Sequence, residues 1–113
     1  MLNKINHELA HKYIITELMI RTLERDRRFI GDFKSQIVMD KLFEQSIRKA
    51  KDELLALKNE MGKIGLRMQE EKKLDEMVTV YTFVQRGISD ELRYMNYALR
   101  NNTMKELERL FNL

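Results

Sequence analysis

Residues 43–61, FEQSIRKAKDELLALKNEM, form a long helical seam in which apolar side chains recur at alternating spacings of four and three. The residues between these positions are nearly all charged or polar. This is the a/d pattern of a helix that lays one narrow apolar stripe against another helix. The seam residues are Phe43, Ile47, Ala50, Leu54, Leu57 and Met61. The pattern predicts a paired helix, with its partner either in the same chain or in another.

Composition restricts the class of protein. A chain of 113 residues favours one domain, 1–113, with a single modest core. The absence of proline favours long helices, and the absence of cysteine excludes disulfides and cysteine-based zinc sites. The 21 basic residues are interspersed with 18 acidic ones, which is typical of a solvated surface and not of a continuous nucleic-acid track.

No apolar run approaches the roughly 20 residues of a membrane span, and no signal-peptide pattern opens the chain. We therefore expect a cytoplasmic protein without membrane contact.

The first half of the chain predicts two helices. Residues 2–24 carry a broad apolar stripe, which indicates a helix from Leu2 to about Glu24 that is buried on more than one side. Gly31 and Asp32 indicate a helix stop followed by an N-cap. A second helix, from about Phe33 to Met61, carries the seam. Residues 1–61 are thus predicted to form a long antiparallel helical hairpin.

The sequence VTVYTFV at residues 78–84 consists entirely of β-branched and aromatic residues and favours a strand. A strand needs a partner, and apolar and polar residues alternate over 63–70, so this segment is the nearest candidate. We predict a β-hairpin over 62–87, with a polar loop near 71–75. The seam periodicity leaves one alternative open, in which 63–70 continues the second helix.

Two local signals predict helices near the end of the chain. Ser89 is a good N-cap for a helix that runs to about Arg100. Thr103 and Glu106 form a capping box for a last short helix. Residues 88–113 are therefore predicted to form two short helices. The predicted fold class is mostly α (α+β), with a helical hairpin, one β-hairpin and two short C-terminal helices.

The five residues HELAH at 7–11 match the H-E-x-x-H pattern of zinc metalloproteases. Two histidines four apart lie on one helix face and would share a metal. Similarity to the zincin family implies His7 and His11 as metal ligands and Glu8 as the base of a minimal zinc peptidase. A third ligand would have to come from elsewhere, such as Glu44 or Glu53. We favour the simpler interpretation of a solvated helix end, with no metal, no cofactor and no enzymatic activity.

A basic cluster suggests a second alternative. Its side chains would contact phosphates, and a helix pair followed by a β-hairpin is similar to a winged helix. No turn divides the long helix into the two short ones that such a domain needs. A nucleic-acid-binding regulator therefore remains an alternative to a simple solvated face. The cluster comprises Arg21, Arg25, Arg27, Arg28 and Lys34.

Four aromatic residues would either stack on bases or fill the core. Their spacing fits a strand and a helix, so we predict core or half-core positions for Tyr81, Phe83, Tyr94 and Tyr97.

The sequence YTFVQRG at residues 81–87, followed by Tyr94 and by LRN at 99–101, resembles the YhjD-like small helical proteins of Bacillus-type bacteria. The resemblance implies a cytoplasmic bacterial or phage-derived protein. The resemblance implies no activity and identifies no functional residue.

We expect a small non-enzymatic interaction or regulatory accessory module that acts through the helical seam. Its partner is expected to be a second copy, most simply in a homodimer, or another helical protein. The distal seam residues Leu54, Leu57 and Met61 are the predicted contact surface. Burial of each such side chain would contribute roughly 1.5–3 kcal/mol.

Overall fold

The computed structural model describes residues 4–32 and 34–113. It contains three α-helices, one short 3-10 helix and a three-stranded antiparallel sheet in the order β1-β2-β3. The elements are α1 (His7–Arg27), the 3-10 helix (Ile30–Asp32), α2 (Gln36–Ile64), β1 (Leu66–Lys73), β2 (Val78–Gln85), β3 (Ile88–Met95) and α3 (Asn96–Leu110). The predicted class, α+β and mostly helical, is confirmed.

The helical hairpin is formed by α1 and α2. The early part of α1 shares a core cluster with Met61, whereas its later part shares a second cluster with Ile47 and Ala50. The two helices are therefore antiparallel, and the seam packs along α1. The helix boundaries differ by a few residues from those predicted, because α1 continues to Arg27 and α2 to Ile64. Leu2 and Phe33 lie outside the described residues, but both helices start later than predicted, because residues 4–6 and 34–35 are not helical and the helices begin at His7 and Gln36. Asp32 was also expected to cap α2, but it lies in the 3-10 helix and the N-cap is Ser35.

Residues 88–95 form a strand, so the prediction of a helix starting at Ser89 was wrong. Arg86 and Gly87 both have positive φ angles, of 50° and 84°, and form the two-residue turn that suits a tight hairpin. Strand β3 then pairs with β2 along its whole length, from Gln85 opposite Ile88 to Val78 opposite Met95. The mainly apolar sequence of β2 fits a central strand with a neighbour on each side. Ser89 lies in this ladder and caps nothing.

The C-terminal region contains one helix, so the prediction of two short helices was also wrong. Helix α3 continues through Asn101 and Asn102, and Thr103 lies in its interior. The Thr103 hydroxyl donates to the carbonyl of Leu99 at 2.7 Å and caps no helix start. The buried residues Leu99, Thr103, Leu107 and Leu110 lie on one face across the predicted break. Burial of this face outweighs the local stop signal.

A β-bulge in β1 determines which of its side chains meet the helices. The pairing with β2 shifts between Met68 and Glu70, so that Gln69 is an extra residue. Before the bulge, Leu66 and Met68 face the core; after it, Glu71 faces α1, where Arg21 binds it. The bulge thus places a carboxylate on the helix side of the sheet.

Helix α1 lies at the centre of the molecule. Its residues join both core clusters, one shared with the sheet, α2 and Leu99 of α3 and the other with α2 and α3. The largest fully buried side chains are Phe83, Ile14 and Met19, two of which belong to α1. Tyr13 meets Phe83 edge to face, with the ring centroids 6.1 Å apart. The sheet and the other two helices therefore share one helical support.

Substitution of two glycines near the C-terminal end of α2 tests where this helix ends. Gly62 lies in the helix with open space around it, whereas Gly65 caps the helix with φ of 71°, and an added Cβ would lie 3.1 Å from Arg86 Cγ. We expect Gly62→Ala to raise the free energy of unfolding by about 0.5–1 kcal/mol. Gly65→Ala should lower it by about 1–2 kcal/mol, because alanine is strained in the left-handed region. Urea denaturation of both variants measures the difference, and equal effects would contradict this helix end.

Candidate functional site

The two histidines of the HELAH sequence both face strand β3. His7 Nε2 lies 2.8 Å from Asp90 Oδ2, and this contact lowers the pKa of Asp90. His11 Nδ1 lies 2.7 Å from the Tyr94 hydroxyl, with the two rings stacked. Glu8, the predicted base, is exposed and points toward Lys12 at 3.6 Å. Both imidazoles therefore attach the start of α1 to the sheet.

The glutamates considered as third metal ligands are also occupied by other contacts. Glu44 accepts from Arg48 at 3.0 Å on the same helix, and Glu53 accepts from Arg109 at 2.6 Å. Over residues 4–32 and 34–113, no group of three or more histidine or acidic side chains is placed to hold a metal ion.

The predicted basic cluster is divided between different elements. Arg21 forms a two-point ion pair with Glu71 on β1, at 2.8 and 3.0 Å, which raises its pKa. Arg27 forms a similar pair with Asp40 on α2, at 2.8 and 3.1 Å, and lowers the pKa of that carboxyl group.

The remaining members of the basic cluster are exposed. Arg25 contacts its neighbour Asp26 at 3.3 Å. Arg28 and Lys34 also lie at the surface. Two of the five side chains, Arg21 and Arg27, are thus engaged by carboxylates of different elements.

The distal seam residues pack largely within the chain. Met61 is only 4% exposed and belongs to the core cluster that contains α1 and the sheet. Leu54 and Leu57 are half-buried and pack against the same cluster. Helix α1 thus packs along the seam, and Leu54 and Leu57 stay partly exposed.

Large apolar side chains are exposed where the helical hairpin turns. Phe29 lies in the connection after α1, and Ile37, Val38 and Leu42 lie in the first turns of α2, with exposures between 48% and 70%. Val38 and Leu42 are four residues apart and share one helix face. We call these four residues the hairpin end. The sequence contained this signal, but the residues precede the seam and do not match its spacing.

Two cavities lie on either side of α3. The first, of about 460 Å³, lies among the three helices, with Ile15 and Leu57 in its wall. Arg109 joins Glu53 and Glu106 beside it, at 2.6 and 2.8 Å. This ion-pair network links α2 to α3 next to the cavity.

The second cavity, of about 620 Å³, lies between α1, α3 and the sheet. Tyr81 and Leu99 contribute to its wall. At its side, Thr79 Oγ1 donates to Asn96 Oδ1 at 2.6 Å, which joins β2 to the start of α3.

The predicted aromatic core is largely present. Tyr81 and Phe83 are buried and Tyr94 is half-buried, whereas Tyr97 is 60% exposed. Tyr81 and Tyr94 meet edge to face, with centroids 5.8 Å apart. Burial raises the pKa of Tyr13, Tyr81 and Tyr94 to about 12, because the charged phenolate would lose its hydration.

The structure defines a mixed protein in which a helical hairpin and a third helix pack on a small antiparallel sheet. A family model described as YhjD protein matches residues 1–113, so the chain belongs to the YhjD family. The resemblance seen in residues 81–87 is thus confirmed and extends over the whole chain. No curated protein and no solved structure matches the chain. In the part of the chain that the structure describes, no helix is long and apolar enough to cross a membrane.

The buried tyrosines predict a loss of stability at alkaline pH. Their pKa of about 12 in the folded protein lies above the ordinary value of 10.0. Their contribution to the free energy of unfolding is therefore complete below pH 10 and is lost as the pH rises through 12. The loss is on the order of 2 kcal/mol for each tyrosine. Urea denaturation between pH 9 and pH 12, with phenolate absorbance recorded in parallel, measures this loss. Tyr94→Phe should make the dependence shallower; stability unchanged up to pH 12 would contradict the burial of these phenols.

Proposed function

We propose that this YhjD-family protein is a non-enzymatic interaction module that self-associates through the hairpin end, as an accessory or regulatory protein. The observation that carries the proposal is the group of exposed apolar residues at that end: Phe29, Ile37, Val38 and Leu42. The absence of cysteine fits a cytoplasmic site of action.

The accessible surface of the chain supports a partner. A folded monomer of 13.6 kDa exposes ~6,600 Å² on average, whereas this chain exposes 7968 Å². The difference exceeds the ~800 Å² that each partner buries in an interface of standard size. The radius of gyration of 16.0 Å is also larger than the ~13 Å of a compact domain of this length. The molecule therefore exposes enough surface to form an interface of standard size with a second copy at one end.

The chemistry of the hairpin end favours a second copy of the chain. Burial of each large apolar side chain contributes roughly 1.5–3 kcal/mol, and association must offset the lost freedom of motion of the two chains. Val38 and Leu42 lie on one face near the start of α2. Two such faces related by a two-fold axis would pack with the ridges of one helix in the grooves of the other. The same apolar surface of each chain would then form both sides of the interface.

The two alternatives have less support. A nucleic-acid-binding regulator would need free basic side chains, but Arg21 and Arg27 each form a two-point ion pair with a carboxylate. A zinc peptidase would need His7 and His11 to share a metal with a third ligand, but His7 Nε2 contacts Asp90 and no group of three metal-ligating side chains lies among the described residues. Self-association requires neither group to be released.

The oligomeric state tests the proposal. We expect light scattering after size exclusion to give twice the 13.6 kDa chain mass at high concentration, with a shift toward one chain mass on dilution. The double variant Val38→Glu/Leu42→Glu adds like charges at the hairpin end, which repel each other across the two-fold axis, and should remain monomeric at every concentration. Its thermal midpoint at low concentration should match that of the wild-type chain, since both side chains are exposed.

Leu55→Glu is the matched control for this experiment. Leu55 is an exposed leucine on the same helix, at 58% exposure, but lies outside the hairpin end. This variant should retain the dimer. A wild-type chain that stays monomeric at its highest soluble concentration, or a dimer that survives the double variant but not Leu55→Glu, would overturn the proposal.

A further inference from the structure

The second cavity contains a buried phenol to which the protein supplies no hydrogen bond. Tyr81 is only 2% exposed, yet it lines this cavity. Over residues 4–32 and 34–113, no hydrogen bond engages its hydroxyl, whereas the neighbouring Tyr94 hydroxyl contacts His11 at 2.7 Å. No buried side-chain oxygen or nitrogen in this part of the chain is both enclosed and without a partner. The small exposed part of Tyr81 therefore includes its hydroxyl, which opens into the cavity.

The hydroxyl and amide groups around Tyr81 are already paired within the protein. Thr79 donates to the Asn96 side chain at 2.6 Å, and Asn96 Nδ2 donates to the carbonyl of Glu76 at 3.0 Å. Thr22 and Thr103 donate to carbonyls of their own helices, at 2.9 and 2.7 Å. The Tyr81 hydroxyl opens into the cavity and no described protein group bonds to it, so among these hydroxyl and amide groups it is the one free to hydrogen-bond to a bound molecule.

The charged residues of the cavity favour an anion. Three cationic residues line it: Arg25, Lys73 and Arg100. Arg25 contacts Asp26 at 3.3 Å, and Lys73 lies 3.9 Å from Glu76, which is almost fully exposed to solvent. The other acidic residue in the wall, Glu71, forms its two-point pair with Arg21. Among the described residues of the wall, Arg100 is the charged side chain without an ion-pair partner, so the uncompensated charge is positive.

The rest of the wall suits an apolar body. Leu18, Leu99 and Met104 lie along α1 and α3, facing the space above Tyr81. The volume of about 620 Å³ is within the range of small-molecule sites, 300–1,000 Å³. Such sites are mostly apolar, with a few polar groups that orient the ligand.

From these observations we propose that the second cavity is a binding site for a small bipolar organic anion. A hydroxyl or carbonyl group at one end of the ligand hydrogen-bonds to Tyr81, its apolar body packs against Leu18 and Leu99, and its carboxylate or phosphate meets Arg100 and Lys73. The site is independent of the hairpin end, because none of its lining residues belongs to that surface.

Isothermal titration calorimetry with 4-hydroxybenzoate and 4-hydroxyphenyl phosphate tests the site. Both probes carry a hydroxyl group, an apolar ring and an anion. We expect saturable binding of at least one probe, weakened about three- to tenfold when benzoate or phenyl phosphate, which lack the hydroxyl, replaces it. Tyr81→Phe should weaken the hydroxylated probe to a similar degree and leave the affinity of the probe without a hydroxyl unchanged.

Two further variants separate the site from general effects of charge and folding. Arg100→Gln should weaken every anionic probe and reduce the salt dependence of binding, whereas Arg28→Gln, at an exposed arginine outside the cavity, should do neither. The thermal midpoint of Tyr81→Phe should equal that of the wild-type chain, because the hydroxyl has no protein partner. Failure of both probes to bind, or binding unaffected by Tyr81→Phe and Arg100→Gln, would overturn the proposal.

Discussion

The burial of α1 on three sides is the constraint on which the rest of the structure depends. Its residues pack against α2, α3 and the sheet, and Ala10, Ile14 and Met19 are almost completely enclosed. Enclosure of a helix this apolar removes much of its surface from water, which is the dominant favourable term in folding. The sheet has three strands and packs its apolar face against α1, and α2 has only one narrow apolar stripe. Each of these elements therefore depends on α1 for its buried face.

Polar contacts determine how α1 is aligned on the sheet. Near its start, the Asn6 backbone N–H donates to Gln85, and His7 and His11 meet Asp90 and Tyr94 on β3. Farther along, Arg21 meets Glu71, which the bulge in β1 has turned toward the helices. Hydrophobic contacts have little directional preference, whereas these hydrogen bonds fix the register of the helix. The HELAH sequence thereby acquires a structural role that requires no metal.

The predictions from sequence succeeded where a long segment carried one periodic signal. The seam from Phe43 to Met61 predicted the long helix, and the β-branched segment at 78–84 predicted a strand. The predictions failed for short polar segments whose secondary structure depends on contacts with other elements. Ser89 and Thr103 are good N-cap residues. Ser89 instead lies in β3 and pairs with β2, and Thr103 lies on the buried face inside α3. Tertiary contacts of this kind outweigh local preferences of about 1 kcal/mol.

The candidate sites were less predictable than the fold, for a related reason. Exposure of Val38 and Leu42 depends on how α1 and α3 pack against α2, which the sequence around these residues does not specify. The cavity beside Tyr81 depends on three elements that are distant in sequence, so spacing alone could not reveal it. The seam was expected to pack against a helix of the same chain or of another, and α1 packs along it within the chain. The surfaces left for binding are those that α1 does not cover.

Native-state hydrogen exchange tests the central role of α1 most directly. The account predicts that amides of α1 between Ile14 and Met19, and of β2 between Tyr81 and Phe83, exchange only through global unfolding, with one common free energy and one denaturant dependence. Amides in the first turns of α2, near Val38, should exchange at a lower free energy. If α1 instead opened in a separate, less costly step while α2 and the sheet stayed protected, the helix could not be the support on which they depend.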